Sequence, residues 1–139
     1  MNKLYNGFCT FCRSIVAPLA NLAARVYMGW SIFFVSGLAK IDDFEETIEL
    51  FDDDFAVPFL SAEPAAYMAT VGELMLPILL IAGLFTRIGA LGLLVMAAVI
   101  QIWVMQDPQH YLWMLVLALL VGYGGGKLSL DNLLLNRKG

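Results

Sequence analysis

A chain of 139 residues that is 60% hydrophobic and only 14% charged, with a mean hydropathy of +0.78, departs from soluble domains, which average about 45–50% apolar and about 25% charged. Its apolar residues fall in long uninterrupted stretches, as they do when lipid is the solvent. The net charge of −4 comes without a basic patch, which excludes a nucleic-acid surface, and the length leaves no room for a soluble catalytic domain beside several spans.

The first sixteen residues lack an apolar core, so no cleavable leader is expected. They carry Cys9-Thr10-Phe11-Cys12. Such a pair is chemically a dithiol or half of a soft-metal site. Zinc would need two further ligands, whereas Cu(I) is held by fewer thiolates; the plainer alternative is apolar anchoring of the N-terminal segment. The first span is expected over residues 17–38. Within and just after it, Arg25, Gly29, Ile32, Ser36 and Lys40 recur at helical spacing, a stripe that can wall a polar pocket, although Lys40 alone can also be read as snorkelling to the membrane surface.

A long loop follows, residues 41–64. It holds nine of the twelve acidic residues: Asp42, Asp43, Glu45, Glu46, Glu49, Asp52, Asp53, Asp54 and Glu63. Phe44, Ile48, Leu50, Phe51 and Phe55 line the other side of a short amphipathic helix that would cap the bundle or lie in the interface. The second span, residues 65–84, contains Glu73 and, four residues on, Pro77, which removes a hydrogen bond to the carbonyl of residue 73 and predicts a bend there. Leu84-Phe85-Thr86-Arg87 is a tight turn. The third span, residues 88–105, contains Gln101 and the small residues Gly89 and Gly92. A second turn, broken by Pro108, leads through His110 to the short fourth span, residues 111–124. Gly122 and Gly126 form a small-xxx-small pair suited to packing, and residues 127–139 form a tail.

Only helices or closed barrels satisfy their backbone in lipid, and no alternating barrel pattern is present. The fold class is therefore all-α, a single integral membrane domain of four transmembrane helices with one amphipathic loop helix. Lys3, Arg13, Arg87, Lys127, Arg137 and Lys138 fall on one side and only Lys40 on the other. The positive-inside rule then places both termini in the cytoplasm and the acidic loop and His110 outside, which in a bacterium means the inner membrane and its periplasmic face. There the Cys pair faces a reducing compartment, which argues against a structural disulfide. Trp103 and Trp113 sit near one boundary, as aromatic belts do.

An ionisable group at membrane depth costs roughly 2.5–3.5 kcal/mol on insertion scales and is a functional candidate by default. Arg25 and Glu73 lie at similar expected depths, so they are expected to pair or to share one network with Gln101. The same three residues can equally be a structural lock between helices. His110 can titrate or bind a metal with Asp107, or serve simply as an interfacial residue.

Taken together, Arg25-x-x-x-Gly29, Phe33-Phe34-Val35-Ser36-Gly37-Leu38-Ala39-Lys40, Glu73-Leu74, Gly83-Leu84-Phe85-Thr86-Arg87 and Gly124-Gly125-Gly126-Lys127-Leu128-Ser129-Leu130-Asp131 resemble the DoxX family of small bacterial membrane proteins. The family's usual ending has proline where Gly125 stands, which predicts a looser turn, and its pattern does not include the Cys pair. The resemblance implies four helices in the inner membrane and a redox setting. The family takes its name from a relative of the membrane subunit of an archaeal thiosulfate:quinone oxidoreductase, and other members are linked to oxidative-stress complexes or lie beside enzymes that modify copper-responsive peptides.

Two functions follow as expectations. The first is a membrane subunit of a redox system holding a quinone or other small ligand in a polar pocket. Arg25, Glu73, Gln101, Ser36 and Lys40 would bind it, with Arg25 donating hydrogen bonds and Glu73 moving protons. The second is a non-enzymatic anchor or accessory for a partner protein in oxidative, thiol or copper stress handling, or a homo-oligomer, with Cys9 and Cys12 as a Cu(I) site.

Overall fold

The structure is a computed structural model that describes residues 2–53 and 60–136. Phe55 and Asp54 of the expected loop helix, and Arg137 and Lys138 of the tail, lie outside the described residues. All regular structure among those described is helical: α1 (Lys3–Asp42), α2 (Phe44–Asp53), α3 (Ala62–Ala82), α4 (Thr86–Val104), α5 (Pro108–Tyr123) and α6 (Leu130–Asn136).

Three of these, α1, α3 and α4, are long and apolar enough to cross a membrane. Helix α5 has 16 residues, about 24 Å, short of a hydrocarbon core of about 30 Å. Helices α1, α3, α4 and α5 pack around Met28, Phe33, Leu80, Leu93, Leu117 and Leu120, with Ala90 and Ala97 between them. Buried positions recur three and four residues apart, at Ala66, Thr70, Glu73, Pro77 and Leu80 in α3 and at Thr86, Ala90, Leu93, Ala97 and Gln101 in α4. The opposite faces carry Met68, Val71, Met75 and Ile78, and Ile88, Val95 and Ile102, each more than half exposed. A soluble monomer does not leave apolar faces of that extent in water. With Met, Val and Ile on the outer faces and Ala, Gly and Thr among the buried positions between helices, this is a membrane protein, whose helices associate by close packing.

Two features of α1 were not expected. It runs past the end of the bundle: Leu4, Tyr5, Phe8, Phe11, Ile15 and Val16 are all exposed, whereas burial begins at Pro18 and the Asn21 amide donates to the Gly124 carbonyl at 3.0 Å. Cys9 and Cys12, both half-buried, ride on the projecting part. Its second feature is a wide-turned π segment, Tyr27–Phe34. Such segments close i→i+5 hydrogen bonds and are rare at this length. Arg25, Gly29, Phe33 and Gly37, four residues apart, all stay buried across it.

At the far end, Asp43 breaks α1 (φ −137°) and its carboxylate accepts from the Glu46 N–H at 3.0 Å, an N-cap for α2. Helix α2 turns Phe51 against Ala65 and Ala66, with Phe44 and Ile48 alongside, and leaves its acids outward. Pro77 sits inside an unbroken α3. The Glu73 backbone beside it is covered by α1: a Cβ on Gly37 would lie 3.1 Å from the Glu73 carbonyl carbon. The freed carbonyl thus abuts a glycine. Gly89 and Gly92 bring α4 against Leu76 as expected. Gly122 has open space around it among the described residues, whereas Gly126 abuts the Asn21 side chain, so the two do not form one packing face.

Candidate functional site

The expected partnership of Arg25 with Glu73 is not what forms. Arg25 sits at the level of the α3–α4 turn, at one end of the bundle. Its guanidinium is fully buried and donates to the Leu80 carbonyl at 3.4 Å and to the Leu128 carbonyl, with Nε left without a partner among the described residues. Although Arg25 lies two turns into the expected span, Gly83 closes α3 beside it, so it stands at the end of the bundle and not at its middle.

Around Arg25 three separated stretches of sequence meet. Gly83 closes α3 with φ +70°. The Gly83 N–H donates to Leu80 O and the Leu84 N–H to Leu79 O, a Schellman arrangement. The Gly83 carbonyl accepts from the Asp131 N–H at 2.8 Å. The Asp131 carboxylate in turn accepts from the Phe85 N–H (2.7 Å), the Thr86 N–H (2.9 Å) and the Thr86 hydroxyl (2.8 Å). An anion on the free N–H groups of α4 offsets both their desolvation and the helix dipole, and it holds Phe85 in its left-handed conformation (φ 49°). Gly125, expected to be a loose turn, is tightly seated: a Cβ there would lie 2.5 Å from the Thr86 hydroxyl.

Burial pushes the Asp131 carboxyl up, but hydrogen bonds from Thr86 and Phe85, with the charge of Arg25, outweigh it and hold the group below the usual carboxylate range. A depressed folded-state value contributes stability above the unfolded value, near pH 4, and the contribution disappears as pH falls through the folded value. Amide exchange of residues 124–134 should therefore accelerate below about pH 4, while α3 and α4 stay protected. In Asp131→Asn that exchange should already be fast at pH 7 and show no acid step. The same acid step in both proteins would refute this role for Asp131.

The polar groups at the other end line a half-open cavity of about 410 Å³, within the range of small-molecule sites. Its wall is mostly apolar, from Ile32, Phe33, Met68, Val95, Met96, Ile100, Val104 and Trp113, and Phe51 of α2 contributes to it. Four polar side chains, Ser36, Lys40, Glu73 and His110, join that wall. Lys40 Nζ donates to Glu73 Oε2 at 2.7 Å and to the Ser36 hydroxyl at 2.9 Å. The lysine side chain is 18% exposed and the glutamate 5%. The i,i+4 spacing of Ser36 and Lys40 presents both on one face of α1, and Gly37 lets that face approach Glu73. Lys40 is thus turned inward rather than snorkelling.

Gln101 is buried but reaches neither Arg25 nor Glu73. Its Oε1 lies 3.1 Å from the Asp107 N–H and 2.8 Å from His110 Nδ1. His110, only 3% exposed, packs on Trp113 at 4.8 Å between ring centres, and Trp113 packs edge-on against Phe33. Trp113 is therefore turned into the bundle, while Trp103 faces outward. Sequence reading undervalued His110; its signal is Trp113 one turn later and a glutamine across a proline turn. Among the described residues no group of three or more His, Cys, Asp or Glu is placed to hold a metal ion.

The family model for DoxX matches residues 20–106, which takes in Arg25, Lys40, Glu73 and Gln101. A protein of Haemophilus influenzae described as uncharacterized is 32% identical, over 88% of this chain and 87% of its own length. No solved structure matches the chain.

Proposed function

This chain belongs to the DoxX family, and on that premise we propose that it is the membrane subunit of a redox-linked system, holding a quinone in the cavity between α1, α3, α4 and α5. The observation that carries this reading is the cavity itself: a mostly apolar cavity of about 410 Å³ with a Lys40–Glu73 pair in its wall, the glutamate buried and the lysine partly so. A quinone needs an apolar wall for ring and tail and one or two polar groups for its oxygens. Two charges in a lipid-facing bundle are costly unless they are used or well paired. Lys40 has one N–H left to donate to a carbonyl, the task first expected of Arg25, which is instead committed to the clamp around Asp131. Glu73 is the group that would exchange protons with a bound ligand. Electrons would come from or go to a partner subunit.

The Lys and Arg distribution supports an inner-membrane location with both termini cytoplasmic. On that orientation α5 serves as the fourth span and the cavity lies toward the periplasmic face. The test is equilibrium binding of a short-chain ubiquinone to the purified chain in nanodiscs. Lys40→Met and Glu73→Gln should each weaken binding about tenfold, the loss of one charge-assisted hydrogen bond. Unchanged binding in both folded variants would sink the cavity reading.

A second reading, an accessory role for a partner protein, is favoured by the projecting part of α1. Cys9 and Cys12 stand one turn apart on it, beside an apolar row of Leu4, Phe8, Phe11 and Ile15 that no described residue covers. Two thiolates at that spacing suit Cu(I). Copper(I) titration of the wild type against Cys9→Ser/Cys12→Ser tests the metal version, which fails if both bind alike.

A further inference from the structure

We infer, resting on the cavity reading above, that the site is built for the reduced form of its ligand: an amphiphile with hydroxyl donors, a hydroquinone rather than a quinone. The argument begins at a group with no choice of role. The Asp107 backbone N–H can only donate, so the Gln101 atom facing it at 3.1 Å is the amide oxygen. That same oxygen lies 2.8 Å from His110 Nδ1. An amide oxygen can only accept, so Nδ1 carries the ring proton.

In a neutral imidazole with Nδ1 protonated, Nε2 is an acceptor. His110 lines the cavity and Gln101 does not, so the Nδ1 edge is turned away from the cavity and the Nε2 edge toward it. No described residue hydrogen-bonds Nε2. Across the cavity, Glu73 gives Oε2 to Lys40, and Oε1 has no described partner. Two unfilled acceptors therefore stand on opposite walls. The remaining donors are the third N–H of Lys40 and the Ser36 hydroxyl hydrogen, both on the Glu73 side.

A quinone carbonyl can only accept. On the Lys40 side it finds a donor, but it leaves His110 Nε2 and Glu73 Oε1 stripped of water and unpaired, which is costly. A hydroxyl donates and still accepts. One hydroxyl can give its hydrogen to Glu73 Oε1 while taking the Lys40 N–H, and the other can give its hydrogen to His110. Sites built to pair a hydroxyl discriminate strongly against analogues that lack it. Gln101 acts here as a positioning residue, setting which nitrogen of His110 faces the ligand. The inference concerns binding alone.

The test is anaerobic equilibrium dialysis of the full chain in nanodiscs against a short-chain ubiquinol, its ubiquinone, and the dimethyl ether of the quinol, which keeps the ring and tail and loses both donors. The quinol should bind about tenfold or more tightly than the other two. Gln101→Met and His110→Phe should each reduce that ratio several-fold. Equal affinity for quinol and quinone, tighter binding of the quinone, or an ether as tight as the quinol would overturn the inference and leave the cavity reading standing. Binding of none of the three would overturn both.

Discussion

Gly83→Ala is expected to be among the most damaging single-methyl additions to this protein, costing about 3 kcal/mol or more, as backbone strain and lost buried hydrogen bonds combine. Two causes act at one carbon. The backbone there has φ +70°, a left-handed conformation that costs a non-glycine residue about 1 kcal/mol or more. The new Cβ would also lie 2.0 Å from the Arg25 guanidinium and 2.9 Å from the Ser129 backbone. The guanidinium would have to leave the Leu80 and Leu128 carbonyls, stranding a buried cation. Gly122→Ala, with nothing within 4 Å of its added carbon, is the matched control and should be nearly neutral. Unfolding in mixed detergent and SDS measures both. A Gly83 variant as stable as the Gly122 variant would show that the clamp contributes nothing.

Lys40→Met should cost about 3–5 kcal/mol, the penalty for leaving one partner of a buried pair behind. The loss is asymmetric. Glu73 is the more buried partner, and without Lys40 it has no described cation beside it. Glu73→Gln is milder, because the amide oxygen still accepts from Lys40 and the lysine keeps Ser36. Replacing both partners, in Lys40→Met/Glu73→Met, should recover part of the loss, since two apolar side chains suit the site better than one lone charge. If the double variant is as unstable as the sum of the singles, the pair is not energetically coupled.

The membrane character of the chain was legible because lipid leaves the backbone few options, and the second turn was legible because Pro108 stops a helix for a local reason. Pairings between helices were not. A count of residues along α1 puts Arg25 toward the middle, but α3 closes at Gly83 beside it, so the guanidinium stands at the end of the bundle. Glu73 then acquired the wrong partner, since Lys40 was judged by its place at a span end and not by its neighbours across the bundle. Gln101 and His110 are nine residues apart, and only the geometry of the Pro108 turn brings them together. The clamp was visible as a pattern without a mechanism: Gly83–Arg87 and Gly124–Asp131 were recognised by resemblance, while the carboxylate that joins them carries no local signal of its role.

The hydrogen bonds from Asn21 and Arg25 each reach 103 residues along the chain, to Gly124 and Leu128. During synthesis this has a temporal consequence. Arg25 enters the bilayer with the first helix and meets the Leu80 carbonyl when α3 is made, but the Leu128 carbonyl and the charge of Asp131 follow only after α5. Until translation passes Asp131 the nascent bundle carries a cation without its nearby countercharge, so its helices lock only after α5 has been made.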